Sequence, residues 1–226
     1  MKTIFKLIFI LILGIAITNS AFAGIEEKET KGFTYYVYTP ATYNSSRQYP
    51  LIIALHWSTG RGPEMIERWK EQADKKNYIV ACPNSKDLDH WDTDEDVDIF
   101  RMLEEIKKDY PIDSSRVFLM GFSGGAMFAY YLGINYPERF RAVTTFAGSL
   151  RRLTNAPLST DSSKHTPFFI LHGTNDNLVD IGESKYAKEQ LESYGYEVKY
   201  LEIGGLDHNY PSNVSWNIIN WFEKFK

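Results

Sequence analysis

Gly121-Phe122-Ser123-Gly124-Gly125 lies between an apolar run, Val117 to Met120, and a helix-like run, Ala126 to Tyr136. Few short patterns restrict a chain so tightly. A serine at a strand-to-helix junction, with a glycine two residues away on each side, must sit on a sharp turn. A Cβ at either Gly121 or Gly125 would collide with the neighbouring strand and helix. The turn lifts the serine hydroxyl into the open, where it can attack a carbonyl carbon. With Gly and Ser each at about 7%, a chain of this length contains such a pentapeptide by chance about 0.08 times. The competing reading, a plain Gly/Ser turn, does not need the strand-then-helix context. Acyl transfer, and hence hydrolysis, is the chemistry to test against the rest of the chain.

The N-terminus places the chain. Lys2 and Lys6 accompany an apolar core, Leu7 to Ile17, and Ala21-Phe22-Ala23 has the small-x-small form of an export cleavage site. The apolar core is shorter than the about 20 residues that span a bilayer. No cysteine follows it to accept a lipid. Residues 1–23 are therefore expected to be a signal peptide and residues 24–226 a single domain, secreted or periplasmic, with no stable membrane insertion after cleavage. Residues 1–23 carry two lysines and no acid, so their removal takes the formal net charge from −4 to −6. A mildly acidic protein has no electrostatic reason to bind nucleic acid or an anionic membrane. The single cysteine, Cys82, ends an apolar run. It reads as a small buried residue, since nothing basic flanks it to favour a reactive thiolate.

Strand and helix signals alternate along residues 24–226, the pattern of a parallel sheet with helices on both faces. Phe33 to Thr39 alternates and reads as an early edge strand. Leu51 to Leu55 is a continuous apolar run, as a central parallel strand requires. Further strands are expected at Tyr78–Cys82, Val117–Met120, Ala142–Ala147, Phe168–His172 and Glu197–Ile203, about eight in all. Helices are expected at Pro63–Lys76, Val97–Tyr110, Gly182–Tyr194 and Ser212–Phe225, the last with Trp216, Ile219 and Phe222 on its buried side. Nothing long is inserted between Ala147 and Pro167, so no large lid is expected.

Active sites in such sheets lie beyond the carboxyl ends of the strands. One strand is followed by His172-Gly173-Thr174-Asn175-Asp176 and the last by Gly204-Gly205-Leu206-Asp207-His208. The order Ser123, Asp176, His208 can then form a triad. A serine needs a histidine to take its proton and hand it to the leaving group, and the histidine needs a carboxylate to hold its tautomer. Competing histidines have simpler roles: His56 and His172 as structural groups bonded to nearby backbone, His165 as an exposed residue, His90 as part of an acidic loop. Among the acids, Asp207 adjoins His208 and suits a turn, while Asp180 suits the cap of the helix that follows.

An oxyanion needs two fixed backbone donors. The amide of Gly124 is one candidate. The other lies in His56-Trp57-Ser58-Thr59-Gly60, at Ser58 or Trp57. The run Asp87 to Asp98 is acidic but has Asp92 and Asp98 where a helix–loop–helix calcium loop has Gly and Glu, so it reads as a solvated loop. Trp91, a large apolar residue in that loop, is a candidate for the substrate entrance. No metal or organic cofactor is implied.

Leu55-His56-Trp57, Gly121 to Gly125, Tyr136-Pro137-Glu138-Arg139-Phe140, Ile112 to Val117, His172 to Asp176 and Gly204 to Pro211 together resemble the α/β-hydrolase superfamily. They are most similar to compact secreted esterases such as polyhydroxybutyrate depolymerases and feruloyl or acetylxylan esterases. The resemblance implies an α/β-hydrolase fold, nucleophile Ser123, acid Asp176, base His208 and an oxyanion amide near Ser58. It implies a serine esterase acting on a small or polymer-borne carboxylic ester through an acyl-enzyme. A serine peptidase of the same fold and a catalytically silent binding protein are the rivals. The family often carries His-Gly where this chain has His56-Trp57. A tryptophan cannot take a positive φ cheaply, which predicts a differently built oxyanion loop.

Overall fold

A computed structural model describes residues 24–151 and 158–225. The expected signal segment lies outside the described residues. Among the described residues eight strands form one sheet: β1 (Gly24–Thr30), β2 (Phe33–Thr39), β3 (Tyr49–Leu55), β4 (Ile79–Pro83), β5 (Ile112–Phe122), β6 (Ala142–Phe146), β7 (Phe168–Gly173) and β8 (Val198–Ile203). Their spatial order is β1-β2-β4-β3-β5-β6-β7-β8. β1 and β2 run antiparallel and β2 is antiparallel to β4, while β4, β3, β5, β6, β7 and β8 are mutually parallel. All seven residues of β3 are buried, as a strand covered on both faces requires.

Among the described residues six helices cover the sheet: α1 (Gly62–Glu67), α2 (Lys70–Lys76), α3 (Asp96–Asp109), α4 (Gly124–Asn135), α5 (Ile181–Ser193) and α6 (Ser212–Phe222). One core joins Ile99, Leu103 and Ile106 of α3, Phe128 and Leu132 of α4 and Leu191 of α5 to the sheet. The other joins Met65, Trp69, Ala73, Ile218, Ile219 and Phe222 to its opposite face. The α/β-hydrolase fold inferred from resemblance is the fold observed. Between β6 and β7 the described residues add only a 3-10 turn, Ser162–Lys164.

Three expectations change. Phe33–Thr39 is not an edge strand; β1 covers it through a hairpin whose turn, Lys31-Gly32, has φ of 49° and 82°, the doubly positive turn that suits a two-residue hairpin. The outer strand, Glu26-Glu27-Lys28-Glu29 at its centre, hides its strand character behind the charges that protect an exposed edge. The helix expected over Pro63–Lys76 breaks at Arg68-Trp69. There the Arg68 carbonyl accepts the Ser215 hydroxyl at 2.8 Å and Trp69 turns wholly into the core. On α6, Ile219 and Phe222 are buried, whereas Trp216 is half-buried under the Lys75 ammonium.

From β3 the chain crosses to β4 on one side, then returns to β5 on the other side of β3. The loops leaving the neighbouring strands β3 and β5 therefore part toward opposite faces and leave a crevice at their carboxyl ends. That crevice holds the site.

Candidate active site

Ser123 occupies the junction of β5 and α4 with φ 54° and ψ −114°, a conformation that L-residues rarely adopt. The turn is held from both sides. Its amide donates to the Phe146 carbonyl of β6 at 2.9 Å, and its carbonyl accepts from Ala126 and Met127. The glycines are spatial necessities: a Cβ on Gly121 would lie 2.1 Å from the Gly125 carbonyl oxygen, and one on Gly125 would lie 2.5 Å from the carbonyl oxygens of Leu55 and His56. Strand, turn and helix are thus packed backbone against backbone.

The loops after β7 and β8 are laced to each other. Asn175 N–H donates to the Leu206 carbonyl at 2.9 Å and Gly205 N–H to Thr174 Oγ1 at 2.8 Å. Gly173 permits this approach, since a Cβ there would meet the Leu206 carbonyl oxygen at 2.2 Å. The lacing brings residues 32 positions apart into contact: His208 Nδ1 lies 2.6 Å from Asp176 Oδ2, and His208 Nε2 lies 2.9 Å from Ser123 Oγ. A ring with Nδ1–H donating to the carboxylate leaves Nε2 free to accept from the serine. Phe122 stacks on the His208 ring at 5.1 Å and fixes its plane.

The Asp176 side chain is fully buried. Burial alone would raise its carboxyl, but the amides of Val179 and Leu178, each 2.9 Å from Oδ1, and the His208 ring outweigh it and hold the group below its ordinary value. His172 adds a further contact: its Nε2 lies 2.9 Å from the Val179 carbonyl oxygen and 3.3 Å from Asp176 Oδ2. A carbonyl can only accept, so Nε2 carries the proton. The His172 ring therefore bonds to nearby backbone as its sequence position suggested, and also abuts the buried carboxylate. The rival acids are engaged elsewhere: Asp180 caps α5 by accepting from Gly182 N–H, and the Asp207 carboxylate accepts from the Asn209 amide.

Ser58 packs closely against Gly124. A Cβ on Gly124 would be 3.2 Å from the Ser58 nitrogen and 2.7 Å from its Oγ. Neither the Ser58 nor the Gly124 amide donates to an acceptor among the described residues. Trp57 does not take a positive φ; the left-handed residue of this loop is Thr59, at φ 68°. The Trp57 ring packs edge-on against Phe122 and forms part of the wall.

Trp91 is a correction. It is only 2% exposed, and its ring stacks on Phe128. Its indole N–H donates to the His56 carbonyl at 2.9 Å. It lies beneath the loop His56 to Gly60 rather than at the entrance. The chain from Ser85 to Leu88 holds that loop at two more points. Thr59 N–H donates to the Leu88 carbonyl. The buried His56 ring donates from Nδ1 to the Trp57 carbonyl at 2.7 Å and accepts the Ser85 amide at Nε2. Burial pulls His56 down to about 4, against the Trp57 carbonyl and with a smaller push from Arg61. The ring is neutral at neutral pH, the only form that can accept at Nε2. The acids themselves are occupied: Glu95 accepts the amides of Lys86 and Asp92, and Asp98 pairs with Lys86 and Arg101. Among the described residues, no three His, Cys, Asp or Glu side chains converge as a metal site. His165, expected to be exposed, is half-buried and stacked on Tyr196. Cys82 is wholly buried, which pushes its thiol well up.

The cleft over Ser123 and His208 has a volume of about 450 Å³. Trp57, Phe122 and Leu178 give it apolar walls, and Arg68, Asn209 and Tyr210 polar ones. Arg68 and Leu178 escaped the sequence reading. No motif marks them; the break between α1 and α2 and the acid loop bring them to the rim.

The described fold and cleft have relatives. A family model described as phospholipase/carboxylesterase matches residues 63–225, most of the chain. The chain belongs to the phospholipase/carboxylesterase family. Within this setting it is 26% identical over 205 residues to a bifunctional acetylxylan esterase/xylanase of Neocallimastix patriciarum, covering 87% of this chain and 29% of that protein. It is 29% identical over 177 residues to a probable feruloyl esterase C of Aspergillus terreus, covering 73% and 63%. The chain thus spans less than two thirds of either relative's length. The solved acetyl xylan esterase from Aspergillus awamori superposes with a TM-score of 0.74 at 19% identity, covering 90% of this chain and all of that one. That likeness is one of fold. Among the described residues no helix is long and apolar enough to cross a membrane.

Proposed function

We propose that this family member is an exported serine carboxylic-ester hydrolase that works through an acyl-enzyme. The observation that carries the proposal is the continuous relay from Asp176 through His208 to Ser123, at 2.6 and 2.9 Å. In the first half-reaction His208 Nε2 takes the Ser123 proton while Oγ attacks the ester carbonyl carbon. The carbonyl π pair moves to oxygen, and the resulting oxyanion is met by the amides of Gly124 and Ser58. When the pair returns, the C–O bond to the alcohol breaks and the imidazolium protonates the leaving oxygen. Asp176 stabilises the imidazolium without taking its proton. Water then repeats the sequence on the acyl-serine and releases the acid.

The strained backbone at Ser123 supports this role, because such strain persists where the surroundings impose it. The open cleft suits a small ester or one borne on a polymer, and the names of the relatives favour acetyl and feruloyl groups on polysaccharide. Residues 1–23 supply the export signal in this account.

The test is hydrolysis of p-nitrophenyl acetate by the purified protein and by Ser123→Ala. The proposal expects turnover that falls by about 10³-fold or more in the variant while the unfolding curve is unchanged. A folded protein with no turnover, or turnover that survives the substitution, would overturn it. Parallel assays on acetylated xylan, methyl ferulate, polyhydroxybutyrate and a peptide amide separate the esterase classes from a peptidase.

A further inference from the structure

Among the described residues, Arg68 is the one arginine lining the cleft that holds Ser123 and His208, and no Asp or Glu lines that cleft with it. Its own neighbourhood is rich in acids. Glu64 lies one helical turn earlier, the (i, i+4) position at which a surface arginine normally finds a partner, and Glu67 and Glu71 flank it. Glu67 pairs with Lys70 and Glu71 with Lys75, while among the described residues Arg68 makes no ion pair. Arg68 is exposed and lines the cleft, close enough for its charge to oppose the rise that burial imposes on the Tyr210 phenol. Its backbone is pinned, with N–H donating to Met65 and the carbonyl accepting from Ser215. The residue thus lines the cleft from an anchored backbone.

We propose that Arg68 makes the cleft selective for esters that carry a carboxylate near the scissile bond, on the acyl or the alcohol side. This rests on the esterase proposal above and narrows its substrate class. An arginine with no ion-pair partner among the described residues, at the rim of a cleft with apolar walls, favours an anionic substrate both by attraction on approach and by a charge-assisted bond once bound. The guanidinium's five donors suit a planar carboxylate better than an ammonium would.

Two matched pairs test it, each read as a ratio of kcat/KM within one protein. On the alcohol side, 4-acetoxybenzoate is set against 4-acetoxybenzamide. On the acyl side, the p-nitrophenyl ester of adipic acid is set against that of its monoamide. In at least one pair the native protein's anion-to-neutral ratio should exceed that of Arg68→Gln by about fivefold at low salt. Arg68→Glu should push the ratio lower still, Arg68→Lys should keep part of the preference, and about 0.5 M salt should erode it. A response confined to one pair assigns the side that carries the anion. Ratios that are the same in native protein and Arg68→Gln for both pairs would overturn the inference. Failure of the underlying proposal looks different: no ester of either charge turns over, or turnover persists in Ser123→Ala.

Discussion

Gly121→Ala subjects the serine turn to the smallest available perturbation, one methyl group. The methyl carbon would lie 2.1 Å from the Gly125 carbonyl oxygen, 2.3 Å from its carbon and 2.6 Å from the Ala126 nitrogen. Ordinary non-bonded contact is about 3.5 Å. All three atoms are backbone, so no side chain can swing aside. The first turn of α4 must retreat from β5 by roughly 1 Å, and it carries the Gly124 amide and the Ser123 oxygen with it. A displacement of that size at reacting groups costs about 100-fold in rate, while overpacking costs about 1–3 kcal/mol of stability. For a domain of this size that stability loss lowers the melting temperature by several degrees, at about 2–4 °C per kcal/mol. Gly204→Ala is the control: it too adds a methyl near the site, but nothing lies within 4 Å of it and its φ is not left-handed. The assay is kcat and KM on p-nitrophenyl acetate, with thermal melts to verify folding. The expected result is a folded Gly121→Ala protein with kcat down about 100-fold, and a Gly204→Ala protein close to native. A Gly121→Ala protein with kcat within about threefold of native would refute the argument that strand, turn and helix have no room to give.

Other outcomes follow from the same contacts. Asp176→Asn keeps the shape of the acid loop but presents an amide that cannot hold the His208 tautomer, so kcat should fall by about 10³- to 10⁴-fold with little change in KM. For His56, the folded ring titrates near 4 and the unfolded ring near 6.5, so the unfolded chain binds more protons between those values. Stability from this ring is complete above about pH 6.5, and is lost on acidification until about pH 4, by roughly 3 kcal/mol. Urea titrations across that range should show the slope in native protein and a flatter one in His56→Gln. Asp176 acts lower on the scale: its depressed carboxyl contributes above the ordinary carboxylate range, and that contribution is lost as pH falls through the depressed value. Trp91→Phe removes the bond to the His56 carbonyl while keeping the stack on Phe128, so it should lower kcat about tenfold by loosening the Ser58 amide. An entrance residue would raise KM instead.

The parts of the fold and site that could be read from the chain are those set by local rules. Ser123, Asp176 and His208 each follow an apolar run at a strand's carboxyl end. A parallel sheet carries all such ends to one edge, so their meeting needs no knowledge of distant packing. The glycines at 121 and 125 announce a tight turn for the same local reason. What escaped depends on tertiary partners. β1 looks like a charged loop because an edge strand shows most of its side chains to water. The break at Arg68 depends on a hydroxyl from α6, 147 residues away. Trp91 has the composition of an entrance residue, and only the positions of the His56 carbonyl and the Phe128 ring turn it inward.

Everything above turns on Ser123 being the atom that attacks. Incubating the purified protein with a fluorophosphonate and mapping the adduct by peptide mass spectrometry tests this most directly. The account predicts one stoichiometric adduct on the peptide containing Ser123, lost in His208→Ala and matched by loss of ester hydrolysis. An adduct on another residue, or full hydrolytic activity in protein that stays unlabelled, would contradict it.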